Sequence, residues 1–388
     1  MRKDILALWG AATLMTTAVL LWTPALVAGQ APSREETQEA ARAASPRTSE
    51  EAAEYFEAEF ERRMAETIKR VYDPTTPPAA NPPRTPWGDP DLRGYYLTAN
   101  YTPLERPEGV TKALYTAREA IEAFMHSATS DASVDPATVH YDWKEFGMDA
   151  WQSPVRPDRH TSLVVDPPDG RLPPLTPEAQ QRRAAVREAR NTMPGSPDSF
   201  ASVQTHPNLY TRCILGALAA PLVRGGRPGS DSAAGAGAVS TEMQIFQTPD
   251  HVVVVQQRAD DIRIVPLDGR PHLPEHMPQW YGNSRGRWEG NTLVVETVNF
   301  SDWSPAVNSM GSTDALEIVE RFTVVDEETL RYDYTMTDPN TWTRSWTASV
   351  PLPKIAPPLS EFACHEQNYG VINVVTGAQI TATKQGAF

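Results

Sequence analysis

The spacing of apolar residues changes after Thr241, where runs of strand length with alternating or fully apolar character begin. The segments are MQIFQTP, HVVVVQQR, IRIVPLDG, RWEGNTLVVETVNF, EIVERFTVVDEETLRYDYTM and TWTRSWTASVPL. Asp-Gly, Glu-Gly-Asn and Asp-Glu-Glu turns separate them, which is typical of an antiparallel meander. About seven consecutive strands predict a calycin-like β-barrel or a strongly curved meander, with a two-sheet β-sandwich as the alternative.

Three helices are predicted before these strands, and each follows a threonine N-cap. The first begins after Thr48 and carries an apolar residue every three or four positions to about Tyr72. The second follows Thr116, and the third runs from Thr176 to about Asn191 with a proline at its first position. The pattern therefore predicts a mainly β fold with flanking helices. The apolar stripe of the first helix is expected to dock on the main domain, or else on a partner.

The N-terminus has the features of a signal peptide. Arg2 and Lys3 precede an apolar run from Ile5 to Trp22, and Pro24 and small residues follow it. An uncleaved membrane anchor is the alternative, because the run approaches the ~20 residues that span a bilayer. We expect a periplasmic or secreted protein with no membrane span after cleavage.

Composition divides the chain into four predicted regions. Residues 1–29 form the signal peptide, 30–91 a leader, amphipathic helix and proline-rich connector, 92–240 a helix- and loop-rich region packed on the barrel, and 241–388 the antiparallel β domain. The formal net charge of −14 disfavours nucleic acid as a partner, since phosphate neutralisation needs clustered Lys and Arg. A small molecule is the expected partner, and the sequence specifies no oligomeric state.

The two cysteines predict one disulfide. The chain contains two cysteines, Cys213 and Cys364, and we expect it outside the cytoplasm. In that oxidising setting an even number of cysteines indicates disulfide pairing. A free, reactive Cys364 next to His365 is the alternative. A disulfide would anchor His365, a candidate catalytic acid or base, and would hold Tyr369 nearby as a candidate ligand contact.

The segment from Asp260 to Asp302 combines His, Asp, Arg and Trp with strand-like runs. His272 lies in a proline-rigidified loop and is a candidate general acid or base, and Asp261 is a candidate carboxylate. Candidate ligand contacts in the same segment are Arg285, Arg287 and Trp288. Solvated loop and turn residues are the structural alternative for all of them.

A second group of candidates lies on the last two predicted strands. Alternation predicts that Trp342, Arg344 and Trp346 share one face, where they would form an apolar pocket with one fixed cation for a carboxylate, an enolate or a sugar acid. The alternative is an outer face on which Arg stacks on Trp. Asp333 shares its predicted face with Arg331 and Thr335 and is a candidate ligand contact; Tyr332 and Tyr334 would point the other way.

Several strings resemble a large family of secreted bacterial proteins of no known activity. They include TPWGDPDLRG, PLDGRPHLP, SRGRWEG and CHEQNYG, and the resemblance covers nearly all of the chain after Thr85. Members of that family often carry His-Asp where this chain has Asp260 and Asp261, and His where it has Glu317. The resemblance therefore implies a family and a secreted location but no reaction.

Two classes of function remain after these exclusions. No glycine fingerprint for a nucleotide cofactor follows a strand, so no cofactor is expected, and no metal is expected either. The first class is a secreted, cofactor-independent acid–base enzyme (a hydrolase, lyase or isomerase) for a small amphipathic or carbohydrate-like molecule. The second is a lipocalin-like binding protein for an apolar or aromatic ligand. An enzyme requires at least two titratable groups within reach of one ligand, whereas a carrier requires mainly a cavity.

Overall fold

A computed structural model describes most of the chain in separate segments. They are residues 49–128, 155–192, 220–223, 242–257, 261–302, 311–356, 358–363, 366, 369, 372–373, 376–377 and 380. The chain divides into two compact units, Met1–Lys69 and Arg70–Phe388. Cys213, Cys364 and His365 lie outside the described residues, so the disulfide and the role of His365 stay predictions.

The first unit contains helix α1, Ser49–Ile68, in its described part. Glu59 forms ion pairs with Arg62 and Arg63, and Arg62 also pairs with Glu66, each at 2.7 Å. Such pairs one turn apart stabilise an exposed helix face by a few tenths of a kcal/mol each. The predicted helix is confirmed with an earlier end, and its docking surface stays a prediction.

The two other predicted helices belong to the second unit, and both are capped as their sequences indicate. They are α2, Ala117–Ala128, and α3, Pro177–Thr192. At α2 the Thr116 hydroxyl accepts from the Glu119 amide, while the Glu119 carboxylate accepts from the Thr116 amide, which completes a capping box. At α3 the Thr176 hydroxyl accepts from the Ala179 amide. The N-cap threonines therefore fix both helix starts.

Ten strands form two antiparallel sheets in the described residues. In chain order they are β1 (Gly94–Leu97), β2 (Val164–Asp166), β3 (Glu242–Gln247), β4 (His251–Gln256), β5 (Asp261–Pro266), β6 (Asn283–Glu289), β7 (Thr292–Val298), β8 (Glu317–Asp326), β9 (Thr329–Thr337) and β10 (Trp346–Pro353). One sheet has the order β1-β3-β4-β5, and the other has the order β2-β10-β9-β8-β7-β6. Strands from the helix-rich region, β1 and β2, therefore complete both sheets.

The two sheets share one hydrophobic core. Inner-face residues alternate with outer residues in β9, as Tyr332 and Tyr334 show, and in β4, as Val252 and Val254 show, whereas β10 is buried along nearly all of its length. Residues 220–223 also reach this core, and the Leu222 amide donates to the Tyr332 hydroxyl at 2.9 Å. Buried side chains of both sheets and this segment therefore belong to the same core.

A buried ion pair connects the sheets across the core. The Arg263 guanidinium on β5 donates to both carboxylate oxygens of Glu320 on β8, at 2.6 and 3.0 Å. The Tyr332 hydroxyl donates to the same carboxylate at 2.7 Å. Burial and the Glu320 charge raise the pKa of Tyr332 well above its ordinary value, so its proton is retained.

A glycine allows strands β5 and β6 to approach each other. A Cβ added to Gly286 would lie 2.6 Å from a methyl of Leu267 and 2.9 Å from a methyl of Val265. Both distances are below van der Waals contact, so a side chain at this position would require these methyl groups to move.

The observed architecture confirms the mainly β, antiparallel fold with flanking helices. Among the described strands, neither sheet is closed into a barrel. The hydrogen-bonded order breaks between β5 and β6, although the two strands are close at Gly286. The described helices include none that is long and apolar enough to cross a membrane.

Candidate functional site

The outer face of the six-stranded sheet is polar. Arg321 on β8 lies opposite Asp333 on β9, and Asp333 lies opposite Ser349 on β10. In the next row Thr335 lies opposite Thr347, and their hydroxyls are 2.9 Å apart. Strand alternation sends the neighbouring Tyr332 and Tyr334 into the core, which confirms the predicted faces of β9.

A short segment before β2 brings His160 to this face. Backbone hydrogen bonds hold the segment on both sides: the Thr161 amide donates to the Ala113 carbonyl at 3.1 Å, and the Ser349 amide donates to the Leu163 carbonyl at 2.9 Å. The carboxylate of Asp158 accepts from the His160 amide at 2.9 Å, which fixes the local turn. The position of His160 is therefore determined by paired backbone.

His160 and Asp158 form a nearly buried pair. The Nδ1 atom of His160 lies 3.0 Å from Oδ1 of Asp158, and only 1% of the Asp158 side chain is exposed. Burial acts to lower the pKa of His160, but the charge of Asp158 and its hydrogen bond outweigh burial and raise the pKa above the ordinary value. Because the carboxylate accepts from Nδ1–H, the opposite nitrogen is Nε2, and it has no hydrogen-bond partner among the described residues.

An open groove with a volume of about 460 Å³ lies on this face. Its lining consists of Pro74, His160, Val165, Arg321, Arg331, Asp333, Thr335, Thr347 and Ser349. Asp333 accepts from Nε of Arg331 at 3.0 Å and from the Ser349 hydroxyl at 2.6 Å. The groove thus combines an oriented imidazole, a guanidinium and hydroxyl groups, which can transfer a proton and bind an oxyanion.

His272, the main catalytic candidate from the sequence, lies at the other end of the same sheet. Its Nδ1 is 3.2 Å from the side-chain oxygen of Asn283, and its Nε2 is 3.2 Å from a carboxylate oxygen of Glu296. The Leu273 amide donates to the same Asn283 oxygen at 2.9 Å, which fixes the amide orientation. Arg287 lies 3.9 Å from Glu296. Both nitrogens of His272 therefore have partners within the protein.

Arg285 and Arg287 lie two residues apart on one face of β6, and Trp288 lies on the other face. Arg285 donates to the carbonyls of Pro271 and Ser284, so it holds the loop that carries His272. Arg287 is exposed on the same outer face. Trp288 packs against the core instead. The structure brings Arg285 and Arg287 together with His272 but turns Trp288 to the opposite face.

The expectation that Trp342, Arg344 and Trp346 share a face is wrong. Trp342 and Trp346 are buried in the core with their rings edge-on and 5.6 Å apart. Arg344 is exposed and forms an ion pair with Asp166 at 2.7 Å. The reason is that β10 begins only at Trp346; the Trp342 amide donates to the Asp338 carbonyl in a turn, so strand alternation does not apply.

The remaining candidates lie away from the groove lining. Asp261 begins β5 opposite Gln256, in the four-stranded sheet. Tyr369 is exposed. Asp333 is the one ligand-contact candidate from the sequence that lines the groove.

Two strings resemble catalytic motifs but lack the required local structure. Gly282-Asn283-Ser284-Arg285-Gly286 fits the G-x-S-x-G pattern, which marks a nucleophile when it forms a strand-to-helix turn. Here Ser284 lies within a strand, is 5% exposed and bonds to the hydroxyl of Thr297. His272-Leu273-Pro274-Glu275-His276 fits H-x-x-E-H, a zinc motif on a helix. In this chain it is an irregular loop, and no group of three potential metal ligands occurs among the described residues.

The sequence-based interpretation missed His160 and Asp158. The signal available was an aspartate two residues before a histidine in the string PVRPDRHTSLVVD, between prolines and a short strand. An Asp at that spacing can accept from the backbone of the histidine, which indicates a fixed turn. No sequence spacing links this string to β9 and β10.

Comparison with known proteins adds no family or fold assignment: no family model, no curated protein and no solved structure matches the chain.

Proposed function

We propose that the protein is a secreted, cofactor-independent acid–base enzyme that acts on a small amphipathic or carbohydrate-like molecule in the groove. The observation that carries this proposal is the His160–Asp158 pair at the groove, with the imidazole oriented by a buried carboxylate. When an Asp orients Nδ1, Nε2 of the neutral ring is available as a general base. The protonated ring can act as a general acid through the same nitrogen. A hydrolase, a lyase and an isomerase each use such a group.

The other groove residues have complementary roles in the proposed reaction. His160 exchanges a proton with the substrate through Nε2, and Asp158 stabilises the imidazolium that results. Arg331 stabilises an oxyanion or enolate, since charge developing beside a half-buried guanidinium is stabilised more than in water. Asp333 and Ser349 position Arg331 through their hydrogen bonds.

The groove supports the proposed acid–base role better than His272 and its partners Asn283 and Glu296 do. Both ring nitrogens of His272 already have protein partners, Asn283 and Glu296. A substrate would have to displace one of them, at the cost of a hydrogen bond to a charged group, about 1.5–3 kcal/mol. His272 is therefore assigned to holding the 267–282 loop on β6 and β7.

The predicted signal peptide supports the kind of substrate proposed. The charged, apolar and small-residue pattern of residues 1–29 is typical of a signal peptide, so the enzyme would meet periplasmic or extracellular molecules. Separating periplasm from cytoplasm and sequencing the mature N-terminus tests this location. Full-length protein retained in the cytoplasm would contradict it.

A carrier of an apolar or aromatic ligand is the second candidate, and one observation favours it. The indole N–H groups of Trp288, Trp342 and Trp346 are buried without a hydrogen-bond partner among the described residues. A ligand acceptor between the sheets would satisfy such a donor. The groove is favoured instead, because a lipocalin-like ligand requires an interior cavity, whereas the described residues between the sheets form a cluster of buried apolar side chains.

Turnover assays with a matched pair of histidine variants test the enzyme proposal. The wild-type protein is assayed against esters, lactones, glycosides and hydroxy acids, and the active class is repeated with His160→Asn and His276→Asn. His276 is an exposed histidine of the 267–282 loop. We expect His160→Asn to lower kcat by about 10²–10⁴-fold, the usual contribution of a general acid or base, and His276→Asn to leave it unchanged.

Thermal unfolding of both variants shows whether a loss of activity is a loss of fold. Activity that survives in a folded His160→Asn variant contradicts the assignment. Tight binding of a fluorescent apolar probe that quenches tryptophan, without turnover of any substrate class, would favour the carrier.

A further inference from the structure

We propose that the substrate of the groove carries a carboxylate with hydroxyl groups close to it, as a sugar acid or a polyhydroxy acid does. The inference rests on the proposed function, because it specifies what the same groove binds. It is drawn from the hydrogen-bonding capacity left by the side chains of the groove, which includes the terminal edge of Arg331 and three hydroxyls.

Arg331 has an unused hydrogen-bonding edge. Its Nε donates to Asp333 at 3.0 Å, and its two terminal amino groups have no partner in the described part of the chain. The side chain is 27% exposed, so this edge is partly shielded from water. Two parallel N–H groups match the two oxygens of a carboxylate, which makes a bidentate contact the natural use of this edge.

Asp333 offsets part of the charge of Arg331 but contacts only its Nε. Asp333 accepts from both Arg331 and the Ser349 hydroxyl, so its oxygens are already engaged. Asp158 faces Nδ1 of His160, away from a ligand at Nε2. Arg321, the other arginine of the lining, pairs with Glu289 at 2.8 Å outside the lining. The terminal amino groups of Arg331 therefore have no carboxylate partner among the described residues and remain available to an anionic ligand.

Hydroxyl groups form the floor beside Arg331. Thr335 and Thr347 share one hydrogen bond of 2.9 Å, and each oxygen retains a further lone pair. The Ser349 hydroxyl donates to Asp333 and likewise keeps acceptor capacity. Acceptors of this kind pair with the hydroxyl hydrogens of a substrate and offer little to a purely apolar chain. The groove volume of about 460 Å³ admits a molecule of monosaccharide size.

A matched pair of ligands tests the charge requirement. Isothermal titration calorimetry of the mature full chain is carried out with D-glucuronate, and with D-glucose as the neutral counterpart. The variants are Arg331→Gln and Arg93→Gln; Arg93 is an exposed arginine paired with Asp91, and it does not line the groove. We expect glucuronate to bind the wild type and Arg93→Gln alike, Arg331→Gln to bind at least about tenfold more weakly, and glucose to bind weakly to all three.

The outcomes separate this inference from the proposed function. Equal binding of glucose and glucuronate, no binding of glucuronate, or an unchanged affinity in Arg331→Gln overturns the substrate class. Displacement of glucuronate by an equal concentration of inorganic phosphate also overturns it, since the site would then recognise charge alone. If glucuronate binds through Arg331 but no hydroxy acid is turned over, the ligand class stands and the enzyme proposal fails. If neutral substrates are turned over in a His160-dependent way, the enzyme proposal stands and the ligand class fails.

Discussion

Arg263 and Glu320 lie directly beneath the groove, and breaking their ion pair should destabilise the whole second unit. Glu320 is the inner neighbour of Arg321 on β8, and Tyr332 lies between Arg331 and Asp333 on β9. The perturbation is Arg263→Met, which keeps an apolar stem of similar length and removes the charge. Tyr332 is then the remaining hydrogen-bond donor to Glu320 among the described contacts.

The expected cost follows from the geometry of the pair. Arg263→Met removes two charge-assisted hydrogen bonds, of 2.6 and 3.0 Å, from a carboxylate whose side chain is 0% exposed. Removing one partner of such a buried pair costs about 3–5 kcal/mol, because the other charge stays desolvated. Removing both charges avoids that penalty. The double variant Arg263→Met with Glu320→Gln should therefore recover most of the loss, since Gln still accepts from the Tyr332 hydroxyl.

Urea denaturation followed by circular dichroism measures the free energy of unfolding of the wild type, both single variants and the double variant. The reasoning predicts a coupling energy of about 2 kcal/mol or more in this cycle. The exposed pair of Arg344 and Asp166 is the control, where a single Arg344→Gln should cost no more than about 1 kcal/mol. A loss below about 1 kcal/mol in Arg263→Met, or a double variant less stable than both single variants, would refute the reasoning.

Three further predictions concern the site, the packing of the sheets and the cysteines. Asp158→Asn should lower the pKa of His160, because burial then acts without the charge of the carboxylate. An NMR titration of the ring protons measures this pKa, and an unchanged value contradicts the pairing of His160 with Asp158. In the wild type the raised pKa means that His160 adds stability below its unfolded-state pKa of about 6.5, and that this stability is lost as the pH rises through the folded-state value. Gly286→Ala should lower the free energy of unfolding, measured by urea denaturation, by about 1–3 kcal/mol through contact with Leu267. Gly377→Ala should lower it far less, because a Cβ added there meets no neighbouring atom within 4 Å. Thiol titration of the unreduced, denatured protein should find no free thiol, and two free thiols would exclude the disulfide.

Short-range sequence patterns predicted the helices and strands. Whether the strands close into a barrel depends on contacts between distant residues, which such patterns do not contain. The helix starts at Thr116 and Thr176 follow from hydrogen bonds within four residues, so the caps were readable from the sequence. The strands follow from alternation in the same way. The approach of β6 to the end of β5 instead brings Gly286 close to Leu267, and a one-dimensional pattern does not encode that distance.

The candidate site shows the same division between local and long-range information. The faces of Arg331, Asp333 and Thr335 were predicted because they follow from a period of two within one strand. Alternation failed for Arg344 because a turn precedes β10, and the sequence gives no sharp boundary there. His160 was missed because its approach to Ser349 joins residues nearly two hundred positions apart through the Leu163 backbone.

The groove and the core are formed by opposite faces of the same strands, so their structures are coupled more closely than in a site formed by loops. Arg331 and Asp333 flank Tyr332, so the side chains that would bind the substrate share their backbone with the hydroxyl that bonds to Glu320. A shift of β9 by a fraction of an ångström would change both the Arg331–Asp333 contact and the buried network. Site geometry of this kind tolerates little error, since a misplacement of about 1 Å costs on the order of 10²-fold in rate. The buried ion pair therefore fixes the floor on which the proposed chemistry depends, and a stable double variant with reduced turnover would reveal that dependence.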